Sequence, residues 1–399
     1  MRILLVAKSD SVHTARWISQ ISDKGWDLHL VPSLDVGATH QGMQSVTVYH
    51  SFYGKNNKTA QGTRLKGVAV FSEDIARLGR GALRRYFPKY RSFQLARAIS
   101  KLRPDVVHSM EIQAAGYLTL EAKRIVGNRF PPWIVTNWGS DIYLFGRLNE
   151  HKDKIREVLA ACDYYSCECQ RDVELARVFG FNGKVLPVFP NSGGFDVQKA
   201  QTMRQSGAVS SRRVIMLKGY QDWAGRGLVG LRALERCADL LKGYEIAIYS
   251  ASPEVRIAAE LFEKSTCVPT KIIPECSLHE EILKLHGRSR VSIGLGISDA
   301  ISTSLLEAML MGSFPIQSCT SCAEEWIADG ETGILVPPED AEVVEAAIRR
   351  ALKDDALVDG AAEKNIHLAE EKLDYRKLKA MAVGIYERVA QEARTRQRT

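Results

Sequence analysis

The 399-residue sequence has no long hydrophobic run. Its opening apolar stretch, Ile3–Ala7, is far too short for the core of a secretion signal, and no later stretch reaches the ~20 residues of a membrane-spanning helix. The opening strand, turn and helix carry no G-x-G-x-x-G, which argues against a dinucleotide cofactor there. Cysteine is present but forms no framework. Cys167 and Cys169 are one residue apart, and Cys319 and Cys322 two. With no second pair or His-rich neighbourhood, they read as reduced thiols rather than a zinc or redox site, which predicts a cytoplasmic protein. Acid is missing from one stretch: between Arg77 and Arg103 lie nine Lys or Arg and no Asp or Glu, with Tyr86, Phe87, Tyr90 and Phe93 interleaved. The choice there is between a solvated helix face and a surface that meets anionic lipid or phosphate. Pro88 argues against one continuous helix across it. No nucleic-acid partner is expected.

What is present is ordinary globular composition, 45% apolar and 25% charged with a net charge of +7, on a chain long enough for two cores. Apolar runs alternate with helix-period segments. Arg2–Ala7 reads as a buried strand, the segment from Val12 as a helix and Leu28–Val31 as the next strand. Further strands are expected at 104–108, 133–137, 164–167 and 184–189, with helices between them. The rhythm stops at a polar segment without apolar period and restarts at Arg213–Leu217. The expected division is an N-terminal Rossmann-like domain at 1–195, a linker at 196–211, a second Rossmann-like domain at 212–374, and a C-terminal helix at 375–399.

One stretch organises the second half. Ser298–Pro315 reads SDAISTSLLEAMLMGSFP and follows the strand-like run Val291–Leu295. Leu305, Leu306, Met309 and Leu310 recur at helical spacing, and Gly312 stops the helix. Ser302, Thr303 and Ser304 then fall at the helix N-terminus, where unpaired N–H groups and the positive dipole end make an anion site. Asp299 precedes the helix, and Glu307 lies one turn inside it.

An acid, seven residues, a second acid, then Ala-Met, Gly and Pro resembles the signature of retaining GT-B glycosyltransferases of family 4 (glycosyl transferases group 1). The first acid of that signature is usually Glu, and Asp299 is a shorter variant. The resemblance implies an α/β GT-B fold: two Rossmann-like doubly wound domains face a central cleft, and a C-terminal helix crosses back to the first. It implies Asp299 at the donor sugar and Glu307 on the nucleotide ribose. The family loop after the first strand of the second domain carries Gly-Arg and, six residues after the Arg, Lys-Gly. Here Gly219-Tyr220 and Arg226-Gly227 stand there, so Arg226 keeps a cation for phosphate, and Lys218 is the candidate to replace the cation lost at Tyr220. Backbone near Ile273 would meet the base. In the first domain SDSVHTARW places Ser11, His13 and Arg16 at the cleft. Trp138 occupies the position of a family His, and an indole cannot accept a proton. Asp141, after the same strand, is the substitute candidate on the acceptor side, and His108 reads as a core residue.

The implied activity is metal-independent, retaining transfer from a nucleotide diphosphate-sugar to a glycan or lipid-linked acceptor, in surface polysaccharide or glycoconjugate synthesis. No cofactor or metal is expected, and a literal D-x-D is absent. The Arg77–Arg103 stretch would suit a peripheral position on an anionic membrane. A GT-B nucleotide-sugar epimerase or hydrolase, and a non-catalytic sugar-nucleotide binder suggested by Trp138 and Tyr220, are the alternatives.

Overall fold

The structure is a computed structural model that describes residues 1–56, 59–60 and 62–396. It contains two compact units, Met1–Gly193 with Arg376–Thr399, and Gly194–Tyr375. Residues 397–399 of the expected C-terminal segment lie outside the described residues.

The first unit is built on eight parallel strands: β1 (Arg2–Ala7), β2 (Asp27–Pro32), β3 (Val46–Gly54), β4 (Arg64–Val70), β5 (Val106–Met110), β6 (Trp133–Thr136), β7 (Tyr164–Ser166) and β8 (Lys184–Val185), in the order β4-β3-β2-β1-β5-β6-β7-β8. Ile3 to Ala7 are fully buried, as a central parallel strand covered by helices on both faces requires. The chain builds outward from β1 to β4 and returns to β5 beside β1, so the strand order reverses between β1 and β5. Ligands of open α/β sheets bind at the carboxyl ends of the strands flanking such a reversal.

The second unit repeats the plan with six parallel strands: β9 (Val214–Lys218), β10 (Glu245–Tyr249), β11 (Thr270–Ile272), β12 (Ser289–Gly294), β13 (Phe314–Ser318) and β14 (Ile334–Val336), ordered β11-β10-β9-β12-β13-β14. Its reversal lies between β9 and β12.

The helix Tyr375–Arg396 is part of the first unit from Arg376 on, as the expected return of the C-terminal helix requires. Leu378, Ala382, Ile385, Tyr386 and Val389 pack with Ile3, Trp17, Ile18 and Ile134. The buried Tyr386 hydroxyl accepts from Trp17 Nε1 at 2.8 Å and meets His108 Nδ1 at 2.6 Å, while His108 Nε2 lies 2.6 Å from Thr136 Oγ1. Burial pushes the His108 imidazole down to about 3, so it is neutral in the fold, a core residue as its place in the sequence suggested.

Residues 196–211, expected as a linker, belong to the second unit. Asp196 caps the short helix Val197–Met203 through the Lys199 N–H, and Ala200 is fully buried. Arg204 donates to the Leu310 carbonyl and pairs with Glu370, and Ser210 is tied twice to Asp359. The polar residues that hide an apolar period here are the anchors. The basic stretch forms two helices, Glu73–Tyr86 and Tyr90–Leu102, broken around Pro88 as expected.

Candidate functional site

In the second unit the two strands flanking the reversal send out the loops that carry the expected donor residues. The loop after β9 lies against the chain after β12: the Arg226 N–H donates to the Leu295 carbonyl at 3.1 Å, and the Ile297 N–H to the Ala224 carbonyl at 2.9 Å. Glycine permits this approach. A Cβ at Gly225 would stand 2.4 Å from the Tyr220 carbonyl oxygen, and one at Gly230 2.6 Å from Leu217 Cδ1. Gly225, Gly227 and Gly230 in fact spell G-x-G-x-x-G in this second half. The pattern escapes a reading confined to strand ends, because Gly225 lies seven residues beyond Lys218, the last residue of β9. Gly219 is equally constrained, with Ile248 Cγ2 at 2.7 Å and Ala251 Cα at 2.8 Å from any Cβ.

The helix Thr303–Met311 begins where the sequence places it. Ser302 is its N-cap residue without a side-chain cap bond, and the Ser302 and Ser304 hydroxyls bond each other at 2.7 Å. Leu305 and Leu306 N–H both reach back to the Ser302 carbonyl. Among the described residues the Thr303 and Ser304 N–H groups meet no acceptor, and these two donors carry the positive end of the helix. Asp299 is half-buried in the preceding loop and accepts from the Ala300 N–H at 2.9 Å.

Glu307 is 5% exposed. Its Oε1 lies 2.6 Å from His279 Nε2, and its Oε2 3.6 Å from His286 Nε2, beyond hydrogen-bond length. Burial alone would raise this carboxyl, but the two imidazoles outweigh it and hold it down to about 2, so it is a carboxylate. His279 and His286 are seven residues apart on the helix His279–Arg288, hence on one face of it. That spacing, read together with Glu307, is the signal by which the sequence could have revealed them.

The cations are placed less simply. Arg226 pairs with Glu339 at 2.8 Å and donates to the Asp222 and Gly225 carbonyls, so its fork must be released before it can grip phosphate. Lys218 Nζ stands 4.8 Å from the centre of the Tyr220 ring, so the candidate replacement cation and the residue that displaced the original one form a pair. Ile273 is buried with Met216, Ala247 and Tyr249, and its N–H is spent on the Ile248 carbonyl at 2.8 Å, so that N–H cannot read a base.

In the first unit Ser11 caps the helix Val12–Ile21, accepting from the His13 N–H at 3.2 Å. The exposed His13 ring stands 5.6 Å from the Trp138 ring, and Arg16 is half-buried on the same helix. Asp141 is turned inward. It is 5% exposed, and its Oδ2 accepts from the Trp138 N–H at 2.9 Å and the Ile112 N–H at 3.0 Å. Beside it is a residue the sequence reading missed. Glu111, the first residue after β5, has φ +84°, a conformation rare for a side chain other than glycine. Its Oε1 accepts from Ala114 and Ala115 N–H at 3.1 and 2.7 Å, at the start of the one-turn π-helix Ile112–Gly116. Burial raises both carboxyls, repulsion by Glu111 adds to the shift of Asp141, and Lys8, just after β1, opposes the shift in each. An acid directly after an apolar strand was the available signal.

A doubly wound pair of parallel sheets, one of them with an open helix N-terminus between two acids at its reversal point, defines the class of GT-B transferases. Two family models match the chain, glycosyl transferase 4-like over residues 2–164 and glycosyl transferases group 1 over residues 268–368. The chain belongs to the GT-B group 1 glycosyltransferases. No curated protein matches it. Among solved structures it is similar to sucrose-phosphate synthase from Thermosynechococcus elongatus (14% identity, 98% of this chain and 99% of that one, TM-score 0.69). It is also similar to a glycosyltransferase from Rickettsia africae (16%, 97% and 98%, TM-score 0.65) and to HepE from Anabaena in complex with UDP and glucose (13%, 97% and 99%, TM-score 0.67). At these identities the likeness is one of fold.

Proposed function

We propose that this glycosyltransferase is a retaining, metal-independent enzyme that moves a sugar from a nucleotide diphosphate-sugar to a glycan or lipid-linked acceptor, in the synthesis of bacterial surface polysaccharide or glycoconjugate. The observation that carries the reading is the second unit's reversal point, where Thr303 and Ser304 N–H groups, Asp299 and Glu307 come from two adjacent turns of one segment. The diphosphate lies at the Thr303 helix, whose dipole and N–H groups stabilise the charge that grows on the leaving group. Glu307 accepts from the ribose hydroxyls and Asp299 from the sugar hydroxyls. Arg226 adds its fork once it leaves Glu339, and Lys218 adds a second cation. The likeness in fold to HepE, whose structures hold UDP, UDP with glucose, or UDP-glucose, supports a nucleotide-sugar donor.

The acceptor hydroxyl approaches the side of the first unit that carries Ser11, His13, Arg16, Trp138 and Glu111. Trp138 cannot take its proton, so the proton passes to the leaving phosphate, and the new bond forms on the face the nucleotide leaves. The helix Glu73–Tyr86 supports a position on an anionic membrane. It leaves Ile75, Leu78 and Tyr86 exposed beside Arg77, Arg84 and Arg85, with Phe71 and Phe87 exposed at its ends. Arg80 and Arg91 are not part of that surface: Arg80 holds Glu73 and the Phe52 carbonyl, and Arg91 the Pro32 carbonyl and Asp35. Among the described residues no helix is long and apolar enough to cross a membrane.

A thermal-shift screen across UDP-, GDP- and ADP-sugars tests the reading, since a ligand of the folded state raises the melting temperature with affinity and excess. One base should stand out, with and without chelator, and the product should keep the donor's anomeric configuration. Nucleotide release without acceptor would instead mark an epimerase or hydrolase.

A further inference from the structure

Glu307 is not waiting for a ligand: the oxygen that would take one is already bonded. Its two histidines differ in a way that matters. His286 is fully buried, stands 3.6 Å from Oε2, and is anchored from behind by Ser292 Oγ at 2.9 Å on Nδ1. The His279 side chain is 41% exposed, stands 2.6 Å from Oε1, and is held otherwise by stacking on Phe195 with ring centres 6.1 Å apart. A carboxylate only accepts, so His279 Nε2 carries the hydrogen in this bond, as a sugar hydroxyl would. Of the two partners only His279 can be exchanged for a group arriving from solvent.

We propose that His279 is a built-in competitor for the donor, a latch whose imidazole occupies the carboxylate oxygen meant for the ribose and must swing out before the nucleotide is seated. This rests on the assignment of Glu307 to the ribose. The latch sits at the first residue of the helix His279–Arg288, so its release needs a side-chain rotation rather than movement of that helix. The charged and titratable groups around it are Glu307 on the facing helix, His286 on its own helix and Tyr249 on β10. Glu280 is adjacent in sequence and neutralised by Lys199, and Lys284 lies one turn on. A closed latch lowers apparent affinity by the fraction of open molecules, so a latch closed in about nine molecules of ten costs about tenfold.

The test is calorimetric titration of UDP, GDP and ADP into the full chain and its variants. His279→Ala should bind the recognised diphosphate about tenfold more tightly than the wild type. His279→Phe keeps the stack on Phe195 without the bond and should behave alike, which covers a failure of the alanine variant to fold. Glu307→Ala should bind weakly, and adding His279→Ala to it should restore nothing. Unchanged or weaker binding in both His279 variants, with Glu307→Ala still impaired, overturns the latch and leaves the ribose assignment standing. Wild-type affinity in Glu307→Ala, or no binding of any diphosphate to the wild type, overturns both.

Discussion

Both units place a helix N-terminus beside the point where strand order reverses, and they fill it in opposite ways. In the second unit the Thr303–Met311 helix presents the Thr303 and Ser304 N–H groups with two serine hydroxyls beside them. In the first, the N–H groups of Ile112, Ala114 and Ala115 are taken by the carboxyls of Asp141 and Glu111. An arriving phosphate finds donors in one place and two buried acids in the other. The same fold element thus leaves its N–H donors open in one half and has them filled by carboxyls in the other.

The largest effect should come from the core that the C-terminal helix completes in the first unit. Tyr386→Phe removes the hydroxyl shared by Trp17 and His108 and leaves two buried polar groups unpaired, a loss of about 2–4 kcal/mol by denaturant unfolding. Nucleotide affinity should hold, because no donor residue touches this network.

Next in size is Glu307→Ala, which should weaken nucleoside diphosphate binding by about tenfold to a hundredfold, the range of a charge-assisted hydrogen bond. Glu111→Gln should leave that affinity alone and lower transfer. Equal effects from both would erase the contrast between the halves.

A smaller effect separates the units by pH. His108 is held at about 3 in the fold against 6.5 when exposed, so its contribution is intact above about pH 6.5 and drains away as pH falls toward 3. Glu307 is held at about 2 against 4.5, and its contribution is intact above about pH 4.5 and lost as pH falls through 2. Between pH 7 and 5 amide-exchange protection should therefore decline by about 1–2 kcal/mol in β1, β5 and β6, with no Glu307-linked loss in the second unit.

The smallest is at the surface. Arg84→Glu with Arg85→Glu should leave stability within about 0.5 kcal/mol and reduce flotation with anionic vesicles, at about 1 kcal/mol for each charge near the surface. Unaltered flotation would remove the membrane from the account of the first unit.

The same contrast explains what could be read from residues alone. The second unit's seat is contiguous in sequence, with strand, loop acid, serines and helix acid within 20 residues, so a local pattern reveals it. The first unit's plug joins residues after three different strands, Lys8, Glu111 and Asp141, and only the sheet order brings them together. Alternating apolar runs gave the Rossmann-like α/β units and the motif's resemblance gave GT-B, yet β3 and β4 followed from neither. β4 is an edge strand with no buried residue, rich in Arg and Lys, so it lacks the apolar run that marks its neighbours. β13, Phe314–Ser318, contains Pro315, which has no N–H for a ladder, so its five buried residues do not mark it as a strand. The segment 196–211 looked like a linker because its anchors are polar, and the hold of Glu339 on Arg226 spans more than a hundred residues of sequence.

The central claim is the position of the diphosphate, and a crystal structure of the protein with the nucleoside diphosphate that most raises its melting temperature tests it directly. The account predicts phosphate oxygens within hydrogen-bond reach of the Thr303 and Ser304 N–H groups, and ribose hydroxyls on Glu307 in place of His279. Phosphates bound elsewhere, with Glu307 still bonded to His279, would contradict it.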